Sequence, residues 1–331
     1  MSQILAAALV AAALLAPSVA VATHQPGPEV DQALAYLRAR QGADGRIGND
    51  ASTAWAAIAF ARAGGLDPAM VRAGGASLEQ AVIAATQPSQ SVLSLARQVL
   101  AMAASGADPR SAAGFDAVAE IYDAWDGAQL GNPAIFNDDV FGLQALHAAG
   151  VPDDDPVVQG VRGYLLDQQQ LTGAWSYAPF NAANPDVFPL LFADVDTTSQ
   201  VMVALLATGS ASSDLAIVRA TVFMKLAQGV FDGGCSWSPV AIPFNALADP
   251  TQPFLSNTYS TSWGVMGLVA AGQDPAGLLW TAPSGETLLS YLAAMQQPDG
   301  SFLYQPGVAG FEPESLAAFG ALALAEHTFL G

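Results

Sequence analysis

Gln169-Gln170-Leu171-Thr172-Gly173-Ala174-Trp175 is the phrase on which the reading of this fold turns. It returns as Gln41-Gly42-Ala43-Asp44-Gly45-Arg46-Ile47 and as Gln296-Gln297-Pro298-Asp299-Gly300-Ser301-Phe302. All three follow Q-x-x-x-G-x-hydrophobic, and a longer variant runs from Gln228 through Asp232-Gly233-Gly234-Cys235-Ser236 to Trp237. The glycine permits a tight turn, and the apolar side chain after it can fold back onto the preceding helix end. The glutamine amide is suited to capping backbone groups that a helix leaves free.

Working outward, a helical stretch precedes each phrase and another follows it. The second stretches end in their own punctuation: Ala63-Gly64-Gly65-Leu66-Asp67-Pro68, Ser105-Gly106-Ala107-Asp108-Pro109, Ala149-Gly150-Val151-Pro152-Asp153, Thr208-Gly209 and Ala271-Gly272-Gln273-Asp274-Pro275. Glycine there suits the left-handed position that closes a helix, and proline suits the start of the next. Six helix-turn-helix units result, with second helices beginning near Asp50, Ser89, Asn137, Asp194, Asn257 and Glu312. In the second unit Gln87-Pro88-Ser89 replaces the glycine turn, and in the third Trp125-Asp126-Gly127 does. Repeats of roughly 50 residues are supersecondary units that bury a shared core only by stacking. The expectation is an all-α chain whose six helical hairpins close into a two-layer ring. Its Ala-rich second helices, apolar on most faces, belong inside. One domain spans residues 23–331, and the long loops at Tyr177–Phe192 and Ser238–Ser256 suit lids or site walls.

Composition sets the outer bounds. The chain has 331 residues, 52% hydrophobic and 12% charged, with a formal charge of −19. So acidic a protein repels phosphate backbones, which excludes a nucleic-acid partner. Its apolar content excludes wholesale disorder. Cys235 is the one cysteine, so neither an internal disulfide nor a Cys-rich zinc site is available. Residues 1–22 combine an apolar run with the small-residue stretch ending Ala20-Val21-Ala22, the pattern of a signal peptide cleaved after Ala22. Its n-region lacks Lys and Arg, so a retained anchor is the alternative. No later stretch reaches the roughly 18 unbroken apolar residues of a membrane span. A secreted or cell-envelope acidic protein is expected.

The Q-x-x-x-G-x-W phrases, the Asp194-Val195-Asp196-Thr197-Thr198 helix start and the six-unit count resemble the terpene cyclase and protein prenyltransferase (squalene-hopene cyclase-like) superfamily. The resemblance spans about residues 29–325 and implies an α/α toroid, or α6/α6 barrel. Class II cyclases protonate an alkene with the middle Asp of D-x-D-D. By resemblance, Asp196 is that catalytic acid and Asp194 its neighbour, with Thr197 departing from the pattern. The competing role for either residue is helix N-cap, which Asp fills readily. Prenyltransferase β subunits hold zinc through Asp, Cys and His on inner helices. Here the matching phrase is Asn257-Thr258-Tyr259, Cys235 sits in a turn, and His24, His147 and His327 are scattered, so neither a metal nor a cofactor is expected. Diphosphate recognition lacks its cations, because the inner helices carry few basic residues beyond Arg62 and Arg97.

What remains is a ring rich in aromatics. Trp55, Phe141, Tyr259 and Trp263 on inner helices, with Trp175, Tyr177 and Trp237 from the turns and loops, are candidates to line a ligand cavity. Asp138 and Asp139 add polar groups at its mouth. Ring faces of this kind pack an apolar ligand or stabilise a cation. The leading expectation is an exported, non-catalytic toroid that binds a hydrophobic, isoprenoid-like or corrinoid-like molecule or a protein partner. The first alternative is a class II terpene cyclase-like enzyme using Asp196. The second is a carbohydrate-active toroid with paired carboxylates such as Asp139 and Asp196, for which glycosidases need separations of about 5 to 9.5 Å.

Overall fold

A computed structural model of the chain describes residues 27–64, 74–179, 193–239 and 256–331. Residues 1–22, expected from sequence to be a signal peptide, and Phe180, Phe188, Phe192 and Phe244 of the long loops lie outside the described residues. In chain order the helices are α1 (Pro28–Ala39), α2 (Asp50–Ala59), α3 (Leu78–Ala85), α4 (Val92–Ser105), α5 (Ala117–Asp123) and α6 (Phe136–Ala148). They continue as α7 (Pro156–Asp167), α8 (Val195–Ala207), α9 (Leu215–Ala227), α10 (Thr258–Ala270), α11 (Leu288–Met295) and α12 (Pro313–Leu324).

The even-numbered helices pack side by side in the order α2, α4, α6, α8, α10, α12, and α12 returns to α2 and α1. That return closes the ring. The odd-numbered helices cover it, each against one or two inner helices. Burial explains which layer a helix joins. Inner α8 buries Val195 and every residue from Thr197 to Leu205, so no face is left for water. Outer α7 buries only Val157, Val158, Val161 and Leu165, a single stripe at three- and four-residue spacing. Full burial of one such Val or Leu contributes about 1.5–3 kcal/mol.

The repeated phrase is the joint between units. The turn glycines Gly45, Gly173, Gly233 and Gly300 have φ of 82°, 88°, 76° and 87°. Each turn seats against the backbone at the start of the next outer helix, where Gly173 meets Arg219 and Gly300 meets Gln32. The glutamine locks the joint. Gln169 Nε2 donates to the Gly173 carbonyl at 2.8 Å and to the Ala216 carbonyl of α9 at 2.7 Å. Gln228 Nε2 does the same to Gly233 and Trp280 at 3.0 and 2.6 Å. Gln296 Nε2 donates to Glu29 of α1 at 2.7 Å, a bond between the last unit and the first. Gln296→Ala removes that side-chain bond across the ring seam, and a loss of about 1 kcal/mol in urea unfolding is expected.

A second repeated bond ties each turn to its inner helix. The backbone N–H of the residue after the turn donates to a side chain on the fourth residue of that helix. Ile47 reaches Thr53 (3.1 Å), Trp175 reaches Thr198 (3.0 Å) and Cys235 reaches Thr261 (2.8 Å). Inner helices close as their glycines suggest, with Gly106, Gly150, Gly209 and Gly272 at positive φ. The exceptions are α2, which ends in a π-helical turn at Phe60–Gly64, and α12, after which Glu326 takes a positive φ of 54°. Two short ladders complete the fold: β1 (Trp175–Ser176) with β2 (Ala193–Asp194), and β3 (Leu303–Gln305) with β4 (Val308–Ala309), both antiparallel.

Candidate functional site

Because the units repeat in one orientation, the inner helices all start at the same end of the ring. The second residue of each is Ala51, Leu93, Asn137, Asp196, Tyr259 or Glu314, and all six are half-buried. They form the rim of a mouth on the ring axis. One turn deeper on the same faces stand Trp55, Arg97, Phe141, Gln200, Trp263 and Ala318, since residues four apart share a helix face. Four residues at about 1.5 Å each place this second tier roughly 6 Å below the rim.

The two aspartates on α8 divide the roles that sequence left open. Asp194 is the N-cap. Its buried carboxyl accepts from the Thr197 N–H at 2.6 Å and the Thr197 hydroxyl at 3.0 Å, and from the Tyr177 N–H. Burial, and then the neighbouring Asp196, raise its pKa well above the usual carboxylate range, and those three donors only partly offset the rise. Asp196 caps nothing. Its Oδ1 is shielded from solvent without a hydrogen-bond partner, and the Ser260 side chain hydrogen-bonds to its carboxyl group. Desolvation pushes its pKa up to about 6, against the lowering effect of that bond. Tyr259 and Tyr304, whose phenols are raised by burial and by the Asp196 charge, stand close by.

Below the rim lies an aromatic cage. Trp55 sits 5.6 Å from Phe141 and 5.5 Å from Phe319, ring centre to ring centre. Trp263 sits 6.2 Å from Phe141 and 4.9 Å from Phe319. Tyr259 stands edge-on to Phe319 at 5.7 Å and links the cage to the mouth. There it stacks on the exposed Phe311 at 5.7 Å and faces Tyr304 at 6.1 Å. A fifth ring, Phe329, fills the cage from the segment after α12.

Of the candidates named from sequence, Trp55, Phe141, Trp263, Tyr259 and Asp196 come together around this axis. The others do not. Trp175 is fully buried beneath its turn, with Nε1 donating to the Leu165 carbonyl at 2.6 Å, so it is core and not cavity wall. Tyr177 and Trp237 flank the start of α8 through backbone bonds to Asp194 and Val195. Asp138 spans two helices, accepting from Leu93 N–H at 3.0 Å and Asn132 N–H at 2.9 Å.

Asp139 is 1% exposed and accepts from Leu130 N–H at 2.7 Å. It therefore holds the place that Thr53, Thr198 and Thr261 hold in other units. A carboxylate-sugar pairing of Asp139 with Asp196 has no support in this geometry. Burial, with Asp138 and Asp126 nearby, raises Asp139 to about 7. A carboxyl raised in the folded state stabilises fully below its unfolded value near 4, and that stability is lost as pH rises to about 7. Asp139→Thr keeps the acceptor without the charge. Its melting temperature relative to the native chain should climb between pH 4 and 7 and stay level above.

Cations near the mouth face carboxylates. Arg40 pairs with Glu314 at 3.4 Å, Arg46 with Asp50 at 3.3 Å, and Arg97 faces the Glu312 charge. Among the described residues no three His, Cys, Asp or Glu side chains are grouped to hold a metal ion. No described helix is long and apolar enough to cross a membrane. Sequence reasoning overlooked Tyr304, Phe311 and Phe329. None belongs to a repeat phrase, and only the hairpin of β3 and β4 and the closing segment bring them to the axis.

Most of the chain aligns with solved structures of this fold. The type II terpene cyclase MstE from Scytonema superposes with a TM-score of 0.61 at 16% identity, covering 90% of this chain and 96% of that one. A glycosidase variant in complex with glucose gives 0.58 at 14%, covering 91% and 97%. The ent-copalyl diphosphate synthase from Streptomyces platensis gives 0.53 at 18%, covering 83% of this chain and 50% of its own. No family model matches the sequence, and no curated protein sequence matches it.

Proposed function

Starting from a chain that has the α/α-toroid fold of the type II terpene cyclases, we propose that it is a proton-initiated cyclase of an isoprenoid chain with an uncharged head. One observation carries this reading: Asp196 presents a shielded, unpartnered carboxyl oxygen beside an aromatic cage. An alkene is a poor base and is protonated only by a neutral acid held out of water. Desolvation keeps Asp196 protonated up to about pH 6, and the neighbouring buried Asp194 favours a proton on the pair. Proton transfer leaves Asp196 as a carboxylate and a tertiary cation on the alkene, and the ring faces of Tyr259, Trp55 and Trp263 supply negative potential that stabilises that cation as it moves along the chain. Successive π bonds then close rings, and the last cation loses a proton, so the product is an isomer of the substrate.

The rim supports the head-group assignment. Arg40, Arg46 and Arg97 each face a carboxylate, and Glu312 and Glu314 would repel a diphosphate. MstE from Scytonema has been solved with geranylgeranyl dihydroxybenzoate as substrate, a head of the same kind in lacking phosphate. The non-catalytic binding toroid is the second reading, and the ring of Phe329 already seated in the cage favours it.

The test is incubation of the purified protein with squalene, farnesol and geranylgeraniol in water and in deuterium oxide, read by mass spectrometry. Cyclised isomers carrying one solvent deuterium are expected. Bound but unchanged isoprenoids would transfer the assignment to the binding toroid.

A further inference from the structure

The cage has four walls from inner helices and a fifth surface of different origin. Phe329 belongs to residues 325–331, which follow α12. That helix runs from the mouth to the far end of the ring, so the segment after it enters the axis from the side opposite Asp196. Its path is compact: the His327 N–H returns to the Leu322 carbonyl at 2.9 Å. Thr328 Oγ1 accepts from the Leu330 and Gly331 N–H groups at 3.1 and 3.2 Å. This turn presents Phe329 inward at 2% exposure. Its ring stacks on Trp55 at 4.7 Å and 23°, and meets Trp263 edge-on at 5.0 Å and 85°. Phe319 and Phe141 lie at 6.1 and 6.4 Å.

We propose that Phe329 is the floor of the site and determines how long a hydrocarbon chain can descend past Asp196. This inference rests on the isoprenoid reading above. The physical basis is depth. Trp55 and Trp263 lie one helical turn, about 6 Å, below the rim, and Phe329 fills the axis at their level. A chain entering from the mouth past Asp196 therefore meets the Phe329 ring at the level of Trp55 and Trp263. Removing the ring vacates the space it fills between Trp55, Trp263, Phe319 and Phe141, all of them apolar walls.

The test compares Phe329, Phe329→Leu and Phe329→Ala in an Asp196→Asn background, where binding is read without turnover. Tryptophan fluorescence, with Trp55 and Trp263 in the cage, reports the affinities for farnesol and geranylgeraniol. The ratio of geranylgeraniol to farnesol affinity should rise about tenfold in Phe329→Ala, because an added isoprene unit becomes buried. Phe329→Leu should fall between and carries the test if the alanine variant fails to fold. Farnesol and geranylgeraniol binding with an unchanged ratio would overturn the floor while leaving the isoprenoid site standing. Failure of both alcohols to bind even with Phe329 in place would overturn the isoprenoid reading, and the floor with it.

Discussion

Asp196→Asn should lower turnover of any cyclised isoprenoid by about a thousandfold or more, with substrate binding nearly unchanged. Asn is isosteric, so the mouth keeps its shape, and Ser260 keeps a partner. What is lost is the proton. A positioned general acid contributes about 10²–10⁴ in rate to ordinary proton transfers, and an alkene in a dry cage has no second source. The pH profile gives the same residue a second signature. The donor must be neutral, so kcat/KM should be level below the pKa of Asp196 and fall tenfold per pH unit above about 6. The limb belongs to the Asp194–Asp196 pair, because their charges interact. A profile that rises with pH would mean that the carboxylate acts as a base, and the cyclase assignment would fail.

Gly300→Val should destabilise the fold by about 3–4 kcal/mol, read as a lower urea midpoint with an unchanged slope. Two costs combine. The residue sits at φ 87°, where a β-branched side chain is strained. Its Cβ would also press into the Gln32 carbonyl, which is helix backbone and cannot swing aside. The site lies beside the Gln296–Glu29 bond where the last unit meets the first, so the strain acts on ring closure itself. Gly150 is the control, at φ 75° with open space around it. Gly150→Ala should cost about 1–2 kcal/mol from the backbone alone. Equal effects at the two positions would show that the turn is not seated on α1. A domain of this size has a total stability of only about 5–15 kcal/mol, so the valine variant gives up a substantial share of it.

Much of the fold is legible because its determinants are local. The turn phrase, the helix-closing glycines and the N-cap residues Asn49, Asp194 and Asn257 act within a few residues of chain, and their spacing counts the units directly. The tier of Trp55, Phe141 and Trp263 follows from the same register. Legibility failed where one residue type serves two purposes. Asp139 looks like a site acid, yet it substitutes for a threonine in a structural bond. Trp175 looks like a cavity aromatic, yet it packs beneath its own turn. The division of labour between Asp194 and Asp196 depends on which carboxyl reaches the free N–H groups of α8, and two residues of helix geometry decide that.

By itself, the sequence determined a two-layer ring of six helical hairpins, with the Ala-rich helices inside and all their first turns at one end. Those properties follow from hydrophobic period and backbone conformation, which neighbouring residues control. Only the tertiary structure decided that Asp196 keeps an unpaired oxygen, that the rim arginines face carboxylates, and that Phe329 closes the axis from below. Apart from the local Arg46–Asp50 pair, each of these depends on groups tens to hundreds of residues apart. Desolvation and charge pairing respond to distance in space, which a pattern along the chain does not encode.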